Sequence, residues 1–119
     1  MNRKILFPTP VYFRDLPDSK KLNKYLLKNI KAWHKANPKG EDKTNSGFGW
    51  HSPTDMNEKE EYQPLTKELF KMAEDCNKDY GVQPKLGLGN MWANINPTYS
   101  YNKTHTHPNS LWSGVYYIK

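Results

Sequence analysis

The chain has 119 residues, a formal net charge of +6, 35% hydrophobic residues and a mean hydropathy of −1.00. That length fits a single domain, 1–119, with a thin apolar core, and the 13% aromatic content excludes a fully disordered chain. One cysteine, Cys76, excludes an internal disulfide framework and fits a reducing compartment; its expected place is a small buried apolar position.

The N-terminal segment Ile5–Phe13 reads ILFPTPVYF. Pro8 and Pro10 lack N–H donors, so this is an extended edge strand or a strap across a core. It is neither a signal peptide nor a membrane span, and the expectation is a soluble cytoplasmic protein with no membrane partner. The charge excess is concentrated early. Residues 1–43 hold 11 Lys/Arg against 4 Asp/Glu, and residues 44–119 hold 7 against 8.

Asp18 or Ser19 caps a predicted helix running to about Ala36, with Leu22, Tyr25, Leu26, Ile30 and Trp33 on its apolar face. Lys20, Lys21, Lys24, Lys28, Lys31 and Lys35 lie mostly off that stripe and read first as a solvated face, so nucleic acid is not the expected partner. Asn37-Pro38-Lys39-Gly40 stops the helix. His34, near its C-terminus, suits the helix dipole.

Residues 39–60 form a polar loop interrupted by the island Gly47-Phe48-Gly49-Trp50-His51-Ser52. Its aromatics anchor the loop to the core or line a pocket. A second helix starts near Pro64, buries Leu65, Leu69, Met72, Ala73 and Cys76, and ends at Tyr80-Gly81. Leu86–Asn96 reads as one strand or two short ones, with Gly87 and Gly89 marking a bulge or a close backbone approach. Thr104–His107 is a short predicted strand, Pro108-Asn109-Ser110 a turn, and Trp112–Ile118 a strand. Helices first and sheet afterwards argue α+β or a helix-decorated β-barrel, not a doubly wound fold.

His105-Thr106-His107 is the one clustered metal-ligand motif. On a strand, residues i and i+2 share a face, so the two imidazoles project together, as in the two-histidine part of a facial triad for non-haem iron. On spacing alone, two partly exposed edge histidines fit as well, and imidazole does not choose between Fe, Zn, Cu and Ni. By the same alternation Asn94 and Asn96 share one face, and one of Tyr116 and Tyr117 faces inward. Trp92 and Trp112 are expected in the core.

The segments FPTPVY, GWHS, MWANINP and HTHPNSLWSGVYYIK resemble the 2-oxoglutarate/Fe(II)-dependent oxygenase family of marine bacteria and their phages. The match runs in register from about Ile5 to Lys119, and the last segment is the most specific. The resemblance implies helices packed on a double-stranded β-helix, or jelly roll. It implies Fe(II) and 2-oxoglutarate as cofactors, with succinate formed as a C–H bond is hydroxylated. It places His105 as the first iron ligand and His107 where the family carries Asp or Glu. It also suggests Asn94, Asn96, Tyr116 and Tyr117 as contacts for the co-substrate.

A distal histidine and a co-substrate-binding Arg or Lys are expected on later strands. This chain is therefore read as the N-terminal portion of such a domain, inactive alone and incomplete as a barrel, unless a homo-oligomer completes it. The substrate is a small molecule or a protein. Two rivals stand beside this reading. A cupin-like metal protein requires Glu and Gly where Leu111, Trp112 and Tyr99 occur. A non-enzymatic basic module would bind nucleic acid or a protein through the lysine-rich helix and exposed tyrosines.

Overall fold

The computed structural model describes residues 1, 4, 7–43, 45, 46 and 48–118. Ile5, Leu6, Gly47 and Lys119, which entered the sequence reading, lie outside the described residues.

Two helices carry the core. α1 spans Ser19–Ala36. Leu26 and Ile30 are buried on it, with Leu22 and Trp33 packed beside them, as their three- and four-residue spacing requires. Full burial of a side chain such as Leu26 contributes about 1.5–3 kcal/mol. Tyr25 departs from the expectation and is 43% exposed, because it sits at the margin of the stripe. Asn23 is buried on the opposite margin, where its Oδ1 accepts the Tyr116 hydroxyl at 2.6 Å. Asp18 occupies the N-cap position without making the expected side-chain cap, since its backbone is left-handed at φ 51 rather than in the extended conformation that aims a capping oxygen.

α2 spans Gln63–Tyr80, with Pro64 in its first turn and Gly81 closing it at φ 75. The N–H of Val82 then reaches the Asn77 carbonyl at 3.0 Å, the glycine-dependent helix ending. Cys76 is buried on α2. Two 3₁₀ turns, Met56–Glu58 and Glu60–Tyr62, lead into α2.

The loop expected over 39–60 is partly a strand. β1 (Trp50–His51) pairs antiparallel with β2 (Asn94–Ile95), Trp50 opposite Ile95 and His51 opposite Asn94. Pairing continues on both sides of this short sheet. The Ser52 N–H donates to the Ala93 carbonyl at 3.0 Å, and the Ala93 N–H donates to Ser52 Oγ at 3.0 Å. Met91 bridges Thr54 and Met56 through its N–H and carbonyl, at 3.1 and 3.0 Å. Ser46 donates to the Tyr101 carbonyl at 2.8 Å. Segments 45–56 and 91–102 thus form one irregular ribbon laid on the helices.

Trp50, Met56, Tyr62, Leu65, Met91 and Ala93 close the core over Leu26 and Ile30. Trp33 lies between Tyr62, stacked at 5.7 Å, and Trp50, edge-on at 6.0 Å. The Trp50 indole N–H donates to the Asn37 carbonyl at 2.8 Å. Gly40, at φ 58, passes directly over this indole. A Cβ there would collide with the His51 carbonyl and the Trp50 ring, so both its backbone and its surroundings require glycine.

The architecture is α+β, two helices with a two-stranded antiparallel sheet. No jelly-roll sheet forms among the described residues. The expected strands Thr104–His107 and Trp112–Ile118 are unpaired, and Leu86–Asn96 is strand only at Asn94–Ile95, with a bridge from Met91 to Asp55. The reason is that, among the described residues, no neighbouring backbone lies beside them to complete a ladder. The segment after Ser110 is instead tied down by side chains. Trp112 Nε1 donates to Asn77 Oδ1 at 2.6 Å, Tyr116 donates to Asn23, and Ile118 packs on the core. The N-terminal strap docks on α2 likewise, Tyr12 donating to Asp79 at 2.8 Å and Arg14 pairing with Asp75 at 2.9 Å. These extended pieces raise the radius of gyration to 16.5 Å, against about 13.5 Å for a compact domain of this length. Among the described residues no helix is long and apolar enough to cross a membrane.

Candidate metal centre

His105 and His107 do converge, without a ladder to align them. Their Nε2 atoms are 3.1 Å apart and their rings meet edge to face at 4.7 Å. His105 Nδ1 lies 2.7 Å from the Lys103 carbonyl. A carbonyl only accepts, so Nδ1 carries a proton, and with Nε2 unprotonated the 3.1 Å contact is a hydrogen bond that His105 Nε2 accepts from the N–H of His107 Nε2. The Nδ1 contact is the arrangement by which a carbonyl fixes the tautomer of a metal-ligating histidine.

Trp92 backs the pair. Its ring lies 5.8 Å from the His107 ring and also stacks against His51 at 5.3 Å, with planes 16° apart. The order His51, Trp92, His107, His105 is a continuous ladder of rings. His51 is buried, with Nδ1 directed at the Ser52 carbonyl at 2.6 Å. His51 contacts the indole and is not grouped with the pair as a possible metal ligand among the described residues. His34 packs instead against Trp50 at 4.9 Å. Among the described residues no group of three or more His, Cys, Asp or Glu side chains could hold a metal ion.

The other site residues expected from the sequence are not gathered here. Asn94 and Asn96 are exposed on and just after β2. Tyr116 turns to the core and gives its hydroxyl to Asn23, while Tyr117 is 76% exposed, the alternation expected of an extended segment. Among the described residues no hydrogen bond joins any of these four to His105 or His107. A groove of about 280 Å³ beside α2, lined by Tyr12, Arg14, Met72, Asp75, Cys76 and Asp79, contains none of them. Burial pushes the Cys76 thiol up, which leaves it protonated and unsuited to nucleophilic work.

Residues 90–119 match a family model described as "Putative 2OG-Fe(II) oxygenase". The matched stretch covers about a quarter of the chain and holds both histidines and Trp92, together with Asn94, Asn96, Tyr116 and Tyr117. It supports a relationship to 2-oxoglutarate/Fe(II) oxygenases, a family whose chemistry uses those two cofactors. No curated protein and no solved structure matches the chain.

Sequence reasoning found the histidine pair but missed the ladder behind it. The signal for Trp92 was the alternation in Met91-Trp92-Ala93. Met91 and Ala93 are buried in the core, which turns the indole to the opposite face. Nothing in the spacing linked His51, 56 positions before His107, to that face.

Proposed function

We propose that His105 and His107 are two of the protein ligands of an Fe(II) centre in a 2-oxoglutarate-dependent oxygenase. One observation carries the reading. Two nitrogens 3.1 Å apart have the separation of neighbouring donors on one ion with metal–nitrogen bonds of about 2.1 Å, and the Lys103 carbonyl already orients one of them. The donor set therefore fits part of such a site. When bound, Fe(II) with 2-oxoglutarate supplies the oxidative hydroxylation of a C–H bond.

The chain's own contribution is to bring two imidazoles together, with the Lys103 carbonyl orienting His105 and Trp92 packed against His107. The third ligand, and a cation for the far carboxylate of 2-oxoglutarate, come from outside the described residues. On this reading a jelly-roll partner segment or a second copy of the chain supplies them. The unpaired backbone of 111–118 and the exposed side chains of Val115 and Tyr117 suit added strands. Asn94, Asn96 and Tyr117 have side chains free to meet co-substrate. Tyr116 would first have to release Asn23. On this reading the enzyme acts in the cytoplasm of a marine bacterium or of a phage host, on a small-molecule or protein substrate.

Anaerobic Fe(II) titration of the 119-residue chain, with and without 2-oxoglutarate, tests the reading. Weak binding that either His105→Ala or His107→Ala removes is expected, with no succinate formed by the chain alone. Fe(II) binding indifferent to both substitutions would overturn the assignment. Tight binding with a visible absorption band on adding 2-oxoglutarate would show that this chain completes the site itself.

A further inference from the structure

We propose that the outer face of α1 is a docking strip for the phosphate backbone of a nucleic acid. α1 carries six lysines, Lys20, Lys21, Lys24, Lys28, Lys31 and Lys35, and no acidic residue between Ser19 and Ala36. At 3.6 residues per turn all six fall within an arc of about 100°, on the side opposite Leu26. All six are exposed, and among the described residues none is ion-paired. From Lys20 to Lys35 the strip is about 22 Å long at 1.5 Å per residue.

A merely soluble helix face intersperses Glu with Lys at four-residue spacing, because opposite charges there stabilise the helix and like charges destabilise it. Here Lys20/Lys24, Lys24/Lys28 and Lys31/Lys35 are all like-charged neighbours. Such a row is relieved by a linear polyanion, whose regularly repeated charge it complements along its whole length. A membrane surface is the weaker fit. Helices that lie on bilayers insert an apolar face, and the apolar face of α1 is already buried against the 3₁₀ turns and the ribbon. A protein interface would call for a central apolar anchor among the charges, and the strip has none within its arc.

The test uses the full 119-residue chain and a fluorescein-labelled single-stranded DNA of about 20 nucleotides, with fluorescence anisotropy across a salt series. Engagement of all six lysines gives a slope of log K on log salt near −4, at about −0.7 per neutralised phosphate. The triple variant Lys24→Gln, Lys28→Gln, Lys31→Gln is expected to halve that slope. A control triple, Lys67→Gln, Lys71→Gln, Lys85→Gln, removes the same charge from exposed positions off the strip and is expected to leave the slope unchanged. No binding at low salt, or equal losses in both triples, overturns the proposal. So does DNA binding unaffected by the strip variant while phosphatidylserine vesicles bind through it. None of these readouts involves metal, so failure here is separate from failure of the iron-site reading.

Discussion

The ribbon formed by 45–56 and 91–102 and the tail formed by 111–118 are both extended, and both face the same core, yet they are held in different ways. In the ribbon, backbone donors and acceptors at Ser46, Ser52, Thr54, Met56, Met91, Ala93 and Tyr101 satisfy one another, directly or through serine hydroxyls. In the tail, Tyr116 and Ile118 pack on the core, Trp112 lies outside it against Tyr12 and Tyr80 while donating to Asn77, and Val115 and Tyr117 face solvent. No backbone pair supports it among the described residues. Alternating side chains are enough to dock one face of a segment. A ladder requires a second backbone at the right distance.

The largest way to break this contrast is to remove what both regions share. Trp50→Ala deletes the indole that closes the core under the ribbon, caps α1 through Asn37 and packs on Trp33. It is expected to cost about 3–5 kcal/mol, read by urea denaturation. Ribbon and tail should be lost in one transition, and separate transitions would show that the tail does not depend on the core. A smaller, selective effect is expected from Tyr116→Phe. It leaves the buried Asn23 carbonyl oxygen without its 2.6 Å donor, at about 1–2 kcal/mol. Hydrogen exchange should then show the tail opening while the amides of Ser52, Met91 and Ala93 stay protected. Equal loss of protection in the ribbon would mean that the tail is part of its support.

The smallest effect sharpens the view of the core itself. The Tyr62 hydroxyl is buried with no hydrogen-bond partner, and burial pushes its pKa up to about 12 from 10.0. The folded state therefore keeps this proton where the unfolded state loses it. The linked stability is complete below pH 10 and declines as pH rises from 10 to about 12. Tyr62→Phe removes an unpaired buried hydroxyl, so it should be neutral or stabilising by up to about 1 kcal/mol near pH 7. It should also flatten the fall in urea midpoint between pH 9 and 11 relative to wild type. An unchanged alkaline fall would place that titration elsewhere.

The candidate site was legible in part. HTH at 105–107 announced two donors on one face, and they lie 3.1 Å apart although the expected strand did not form. A pair two residues apart in any extended segment shares a side, with or without a ladder. The Lys103 carbonyl that orients His105 is also local, two residues away. Trp92 and His51 were not legible as parts of the same feature, because only the pairing of β1 with β2 brings residue 51 next to residue 92. Tyr116 and Tyr117 had equal claims on paper, and the buried amide of Asn23 decided which turned inward.

Both helices, with their bounds, endings and most of their buried faces, follow from local periodicity and from Pro64, Gly81 and the Asn37–Gly40 stop. Local pattern is enough for these because helix hydrogen bonds close within four residues. It also determined the lysine row of α1, since residue spacing alone sets angle on a helix. Long-range packing settled that Trp50–His51 is a strand, that Trp92 contacts both His51 and His107, and that 111–118 is unpaired among the described residues. Strand partners are distant in sequence, and β-propensity reports how well a side chain fits a pleated surface without naming the backbone that will lie beside it.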